Sequence, residues 1–185
     1  MGHILVLGGA RSGKTGFAER LAMRVGERPA YLATAEALDA EMRDRVRAHR
    51  EQRAHQFSTI EEPLKLSAAI RRAAKHHDAI LVDCLTLWIT NLLIANQNVA
   101  AAVDDLVSTL RETTETRVIL VSNEVVLGIV PDNAMARTFR DLAGSAHQRL
   151  AEICADAYFV VAGLPMVLKG RPPETEAAVS RVHEA

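Results

Sequence analysis

A glycine-rich segment near the amino terminus constrains this chain more than any other feature of its sequence. Residues 8–15 read GGARSGKT, which fits the pattern G-x-x-x-x-G-K-[ST]. The segment follows a short apolar run, residues 3–8, and precedes an amphipathic run, residues 13–25. A glycine-rich turn with an exposed lysine is the alternative, but the complete pattern between a strand and a helix favours a phosphate-binding loop.

The residue types of this loop suit the phosphates of a nucleoside triphosphate. Glycines let the backbone curl around phosphate oxygens, while backbone N–H groups and the start of the following helix supply positive potential. Lys14 is expected to reach the β- and γ-phosphates, and Thr15 to hold Mg²⁺ through its hydroxyl. The nucleotide-binding residues predicted here are Gly8, Gly9, Ala10, Arg11, Ser12, Gly13, Lys14 and Thr15.

Apolar runs alternate with longer amphipathic segments along the rest of the chain. Strands are predicted at residues 3–8, 30–33, 79–83, 118–122 and 157–162. Helices are predicted at residues 13–25, 37–56, 63–77, 85–96, 100–114 and 134–155. This order favours right-handed βαβ units. We therefore expect an α/β fold, a RecA-like P-loop NTPase three-layer sandwich with a mostly parallel central sheet and ligands beyond the carboxyl ends of its strands.

Length and composition suit one packed domain. The chain has 185 residues, of which 49% are hydrophobic and 24% charged. We expect a single catalytic domain over residues 1–169, followed by a loose tail over residues 170–185, where Pro172 and Pro173 lie in a sequence of little apolar content.

The charge balance and the cysteine content indicate which binding partners and which cellular compartment to expect. The 22 basic side chains nearly cancel the 23 acidic ones, so no overall field would attract nucleic acid. The most apolar later stretch, residues 153–168, contains Asp156, Gly163 and Pro165, so membrane insertion is not expected. The two cysteines lie far apart without metal-site spacing, which favours a reducing cytoplasm.

Two further residues are candidates for the functional site because of their positions in the predicted elements. Asp83 ends an apolar strand, as a carboxylate that supports the metal would, although acids after strands are common. His49 continues the stripe of Leu38, Met42 and Val46 and should face inward on its helix. A packed histidine on an ion-paired helix fits the same pattern, so position does not decide between packing and catalysis.

Several motifs in the same order extend along nearly the whole chain. They are GGARSGKT at residues 8–15, YLATA at 31–35, DAEMRDRVRAHREQR at 39–53, STIEEP at 58–63, DCLTLWITNLL at 83–93, SNEVVLGIVP at 122–131 and RTFRDLAGSAHQRLA at 137–151. Together they resemble the bifunctional adenosylcobinamide kinase / adenosylcobinamide-phosphate guanylyltransferase family of cobalamin biosynthesis. Departures are modest: Thr15 replaces a frequent serine, Phe57 a frequent tryptophan and His147 a usual asparagine.

The resemblance implies functions for residues that position alone leaves open. His49 matches the family's histidine that carries GMP covalently, so His49 and Lys14 are the expected catalytic residues. Further nucleotide contacts are implied for Ala33, Thr34, Ala35, Arg50, Glu51, Gln52, Arg53, Glu61 and Asp83, with Thr15 and Asp83 as metal ligands, directly or through water. The implied substrates are adenosylcobinamide, its phosphate, GTP and ATP, with Mg²⁺ as cofactor and a homotrimer as the assembly.

Alternatives remain for the function and for one pair of residues. A P-loop kinase of another small metabolite would use the same loop without a covalent intermediate, and His49 would then be structural. A GTP-dependent switch is less compatible, because the guanine-reading pattern N-K-x-D is absent from the sequence. Asn123 and Glu124 follow a strand and could point into the site or cap a turn.

Overall fold

The apolar runs of the sequence form strands of one sheet. The computed structural model describes residues 2–35 and 55–173. Its strands are β1 (Ile4–Gly8), β2 (Pro29–Ala33), β3 (Ser58–Glu61), β4 (Ala79–Asp83), β5 (Arg117–Asn123), β6 (Asp156–Val161) and β7 (Leu164–Lys169). The five predicted strands are present. The prediction missed two strands. β3 was missed because it has only four residues, in which polar side chains alternate with others. β7 was missed because it contains a proline and is largely exposed.

The strand order brings the loops that follow the parallel strands to one edge of the sheet. The order is β3-β2-β4-β5-β1-β6-β7, and every pairing is parallel except that of β6 with β7. Ala33 is in register with both Glu61 and Asp83, and Gly8 with Asn123. The mostly parallel sheet is as predicted, and its carboxyl edge gathers the ends of six strands, β1 to β6.

Helices connect the strands at the expected positions, although the one predicted over residues 63–77 spans only Leu66–Ala73. They are α1 (Lys14–Val25), α2 (Leu66–Ala73), α3 (Leu85–Ile94), α4 (Val99–Glu112) and α5 (Ala134–Ile153). The prediction for residues 37–56 lies outside the described residues, except for its last two, which form a turn. No helix in the described ranges is long and apolar enough to cross a membrane.

Alternate side chains of the strands enter two separate cores, which is why the strands read as continuous apolar runs. Leu5 and Leu120 pack with α2, α3, α4 and α5 on one face of the sheet. Val6 and Val121 pack with α1 on the other, where Phe17 contacts Tyr158 edge to face. The structure is therefore the expected α/β sandwich of helices, sheet and helices.

The end of the described chain contacts the body of the protein. The hydroxyl of Tyr158 donates to the carbonyl of Arg171 at 2.8 Å, and the Arg171 N–H donates to Asp156 at 3.1 Å. Residues 170–173 thus begin at the amino end of β6. The division between a domain ending at residue 169 and a loose tail stays a prediction.

A buried histidine joins α4 to the sheet. His3 Nε2 donates to the Leu110 carbonyl at 2.7 Å, while Nδ1 accepts from the Val118 N–H at 3.2 Å. One neutral tautomer satisfies both bonds. Burial lowers the pKa of His3, and the charge of Arg117 acts in the same direction.

Replacing His3 with leucine should change how stability depends on pH. Because the folded protein holds the pKa of His3 below its unfolded value, acid favours the unfolded chain, and stability falls as pH drops through the unfolded value of about 6.5. In urea titrations, His3→Leu should lose about 1–3 kcal/mol at pH 8, because two buried backbone groups lose their partner. As the pH falls from about 8 to 5, the free energy of unfolding of His3→Leu should then decrease less than that of the wild type.

The exposed His76→Leu provides the control and should follow the wild type. His147, another buried histidine with a lowered pKa, is present in every variant, so its contribution cancels. Parallel loss of stability in wild type and His3→Leu would exclude His3 as a source of the pH dependence.

Candidate functional site

The glycine-rich loop forms a cradle between β1 and α1 that only certain residues can build. A Cβ on Gly8 would lie 2.6 Å from both the Val160 carbonyl oxygen and the Ser12 Oγ, so a side chain there would collide. Gly13 has φ of 90°, in the left-handed region that favours glycine. The sequence pattern is therefore required by the close packing of this loop against β6.

The cradle is anchored to its surroundings. The Gly163 N–H donates to the Ser12 carbonyl at 2.8 Å, which ties the cradle to the turn between β6 and β7. Lys14 is the first residue of α1, and its side chain is buried with Nζ 3.1 Å from the Gly9 carbonyl oxygen. An ammonium group is thereby held beside the loop backbone at a helix amino terminus, an arrangement that attracts phosphate.

Asp83 faces the cradle from the end of β4. Its Oδ2 accepts from the Thr15 hydroxyl at 3.2 Å and from the Tyr31 hydroxyl at 2.6 Å. Hydroxyl and carboxylate oxygens are ligands that Mg²⁺ prefers, and Mg²⁺ usually completes its coordination with water and substrate phosphates. Three or more His, Cys, Asp or Glu side chains gather nowhere in the described part of the chain, so a cation here would share its coordination with the nucleotide.

A buried hydrogen-bond cluster joins the loops that follow β2 and β4. The Thr34 hydroxyl donates to the Cys84 carbonyl at 2.7 Å and accepts from the Cys84 N–H at 2.8 Å. Asn91, on α3, donates through Nδ2 to the Thr34 carbonyl at 2.8 Å and to the Pro63 carbonyl at 3.1 Å. These bonds fix three loop segments beside the site, and we call them the Thr34 clamp.

Two polar side chains extend the contacts toward β5. The Cys84 thiol lies 3.0 Å from the Thr86 hydroxyl, which also accepts from Asn123 Nδ2 at 3.1 Å. Burial raises the pKa of Cys84, and the neighbouring charge of Asp83 acts in the same direction. The thiol therefore stays protonated near neutral pH and is a structural group rather than a nucleophile.

The structure brings many of the predicted site residues to one edge of the sheet. The cradle, residues 8–15, faces Asp83, and Ala33, Thr34 and Ala35 follow the adjacent β2. Thr34 is fully buried, with its hydroxyl engaged in the clamp, whereas Glu61 is exposed at the end of β3. The remaining predicted residues, His49, Arg50, Glu51, Gln52 and Arg53, lie outside the described residues.

Other polar residues near the edge have structural contacts. The Glu124 carboxylate accepts from the N–H groups of Val126 and Leu127 at 2.5 and 3.3 Å, which is the turn-capping alternative considered from the sequence. His147 is buried, with Nε2 2.7 Å from the Ser122 Oγ, and burial lowers its pKa while Glu124 partly opposes that effect.

Sequence reasoning assigned no contacts to Tyr31 or Asn91. Tyr31 lies two residues before Ala33, and β2 pairs with β4 so that Tyr31 and Asp83 approach the same face. Alternation along β2 places Tyr31 on the same face as Ala33, but its contact with Asp83 requires the pairing of β2 with β4. Asn91 lay within a predicted amphipathic helix, where nothing distinguishes a clamping amide from an exposed one.

Sequence comparisons identify relatives along the full length of the fold. A family model described as cobinamide kinase / cobinamide phosphate guanyltransferase matches residues 4–168. The bifunctional adenosylcobalamin biosynthesis protein CobP of Pseudomonas aeruginosa is 49% identical, with 91% of this chain and 98% of CobP covered. The corresponding CobU of Salmonella typhimurium is 39% identical, with 90% of this chain and 99% of CobU covered.

Solved structures with little sequence identity share the architecture. The flagellar accessory protein FlaH from Methanocaldococcus jannaschii has a TM-score of 0.53 at 15% identity, covering 92% of this chain and 79% of FlaH. A KaiC-like protein from Pyrococcus horikoshii has a TM-score of 0.50 at 14% identity, covering 85% of this chain and 70% of that protein. These likenesses show a P-loop NTPase fold. By its family match and its close relatives, the chain belongs to the cobinamide kinase / cobinamide phosphate guanyltransferase family.

Proposed function

We propose that this protein phosphorylates adenosylcobinamide with ATP or GTP and then transfers GMP from GTP to the product, giving adenosylcobinamide-GDP. The observation that carries the proposal is the cradle with buried Lys14 facing Asp83, in a chain that matches the family over residues 4–168. Both reactions need a nucleoside triphosphate held by its phosphates, which is the chemistry that this cradle suits.

In the kinase step, the aminopropanol hydroxyl of adenosylcobinamide attacks the γ-phosphorus. A new O–P bond forms as the bond from the γ-phosphorus to the bridging oxygen breaks, the hydroxyl proton passes to water, and a nucleoside diphosphate leaves. Backbone N–H groups of the cradle and the Lys14 ammonium stabilise the charge on the phosphate oxygens. Because Lys14 is already held at the Gly9 carbonyl, little rearrangement is needed to present that charge.

In the guanylyl step, His49 attacks the α-phosphorus of GTP. A P–N bond forms as the bond between the α-phosphorus and the bridging oxygen breaks, and pyrophosphate leaves into the cradle. A phosphate oxygen of adenosylcobinamide phosphate then attacks the same phosphorus and releases the histidine. A histidine is largely neutral near pH 7, so it can attack without a strong separate base.

We propose Mg²⁺ as the cofactor of both steps, with Thr15 and Asp83 as the residues that hold it directly or through water. Mg²⁺ neutralises the charge of the triphosphate when it is bound. The oxygen atoms at the cradle fit this ion, because the Thr15 hydroxyl and the Tyr31 hydroxyl both contact one oxygen of Asp83. Tyr31 is then a positioning residue that orients the carboxylate.

We also propose a homotrimer in the cytoplasm. The exposed apolar side chains of the edge strand β7, among them Leu164 and Met166, support assembly with other copies of the chain. Cys84 and Cys154 are both free and buried, and burial raises the pKa of Cys154 to about 12. Free thiols are consistent with a reducing compartment.

Replacing His49 tests the covalent step. Protein incubated with GTP labelled at the α-phosphate should retain acid-labile label, whereas label at the γ-phosphate should not be retained by this route. His49→Ala should abolish the label, and the exposed His55→Ala should keep it. Label that persists in His49→Ala would place the nucleophile elsewhere. If the wild type has kinase activity but retains no label from the α-phosphate, the protein would instead be a P-loop kinase of a small metabolite that forms no covalent intermediate.

Replacing Lys14 tests whether both reactions share one cradle. Lys14→Ala should lower kcat/KM of kinase and guanylyl transfer alike, by roughly 10²–10³-fold, because each transition state loses the same charge stabilisation. Lys75→Ala, which removes an exposed lysine beyond α2, should leave both rates unchanged. Loss of only one activity in Lys14→Ala would show that the two reactions use separate triphosphate sites.

Replacing Tyr31 with phenylalanine tests its positioning of Asp83. Removing one hydrogen bond to the carboxylate should raise the Mg²⁺ concentration for half-maximal kinase rate by about tenfold, with less change at saturating Mg²⁺. Tyr158→Phe is the matched control, because its hydroxyl contacts Arg171 and not the site. Equal Mg²⁺ requirements in the two variants would assign Tyr31 a packing function only.

A further inference from the structure

The loop between β5 and α5 is continuous with the phosphate cradle. The Glu124 N–H donates to the Gly8 carbonyl at 3.0 Å, directly where the cradle begins. On the other side, Asn123 contacts Thr86 at the start of α3, the helix that follows Asp83 and Cys84. The loop therefore leaves the sheet between the residues that hold the triphosphate and the residues that face them.

The middle of this loop is apolar and exposed. Residues 125–130 read VVLGIV and include no charged or polar side chain. Leu127 is 81% exposed and Ile129 is 97% exposed, with Val130 and Met135 also exposed beside them. Side chains of this kind beside a polar site mark a surface that contacts an apolar molecule.

Both ends of the loop are fixed while its middle is open. Glu124 accepts from Val126 and Leu127, and the Arg137 guanidinium donates to the carbonyls of Pro131 and Asp132 at 2.9 and 2.6 Å. A Cβ added to Gly128 would meet nothing within 4 Å. Within the described ranges, the backbone groups of residues 128–130 make no backbone hydrogen bond, so they remain available beside the apolar side chains.

We propose that this apolar loop, residues 125–130 together with Met135, is the surface that binds the corrin ring of the acceptor. The inference rests on the proposed function. A corrin ring is a broad, flat macrocycle whose edge carries methyl groups and neutral carboxamide side chains. The loop offers the complementary chemistry, because its exposed apolar side chains lie beside the backbone groups of residues 128–130, which make no backbone hydrogen bond to the described part of the chain, and its sequence contains no charged side chain.

Position favours the acceptor over a second copy of the chain. The attacking hydroxyl must reach the γ-phosphate, so the ring that carries it must contact a surface joined to the cradle. The apolar loop follows Glu124, whose N–H donates to the Gly8 carbonyl, whereas β7 is an edge strand of the kind that another protein chain covers. The acceptor therefore binds the apolar loop, and the edge strand is left for assembly.

Binding of cobinamide itself tests the proposal. Equilibrium dialysis, followed by the absorbance of the corrin, would compare wild type with Leu127→Ser and Ile129→Ser in the presence of a non-hydrolysable GTP analogue. Each variant should raise the Kd for cobinamide by about tenfold, the loss expected for one exposed apolar contact. The Kd for the GTP analogue and the sedimentation behaviour should not change. Ile94→Ser, which alters an exposed apolar residue at the far end of α3, should bind cobinamide like the wild type.

Each result has one interpretation. Unchanged cobinamide affinity in both loop variants would overturn the assignment of the loop. Dissociation of the assembly in those variants would also overturn it, because the loop would then contact a second copy of the chain. Wild-type protein that binds the GTP analogue but neither binds nor phosphorylates cobinamide would contradict the proposed function itself, and would do so without any variant.

Discussion

The hydrogen bond from Thr15 to Asp83 connects two parts of the chain that are far apart in sequence, and the rest of the site depends on it. One partner is the second residue of α1 and the other ends β4, with β5 lying between β4 and β1. The contact is possible only because the parallel pairings are in register, so that Gly8 and Asp83 reach the same edge. A slip of one residue in either pairing would turn the side chains of that strand to the opposite face.

Around that contact, buried hydrogen bonds rather than apolar packing set the positions of the loops. The Thr34 clamp uses both hydrogen-bonding capacities of one hydroxyl and both donors of the Asn91 amide. Such groups are costly to leave unpaired in a buried place, so the arrangement has few alternatives. Ala35 follows Thr34 directly and is the last described residue before residue 55.

How much the sequence could predict depended on whether a signal was local. The pattern at residues 8–15 and the runs of β1 and β4 identified the cradle and sheet, because glycine requirements and apolar alternation are properties of neighbouring residues. The contact of Tyr31 with Asp83 depends on the pairing of two strands, which periodicity does not specify. β7 was missed for a related reason: its stability comes from pairing with β6 and not from burial of its own side chains.

The reversed direction of β7 determines at which edge of the sheet residues 170–173 lie. Because β6 runs toward the cradle and β7 runs back, Gly170 lies beside Asp156, at the opposite edge of the sheet. β1 also starts at that edge, with His3 next to Ala155. A linker attached to a cysteine introduced in place of the exposed Arg171 would thus lie at the edge opposite the cradle, where immobilisation on a sensor surface leaves the cradle unobstructed.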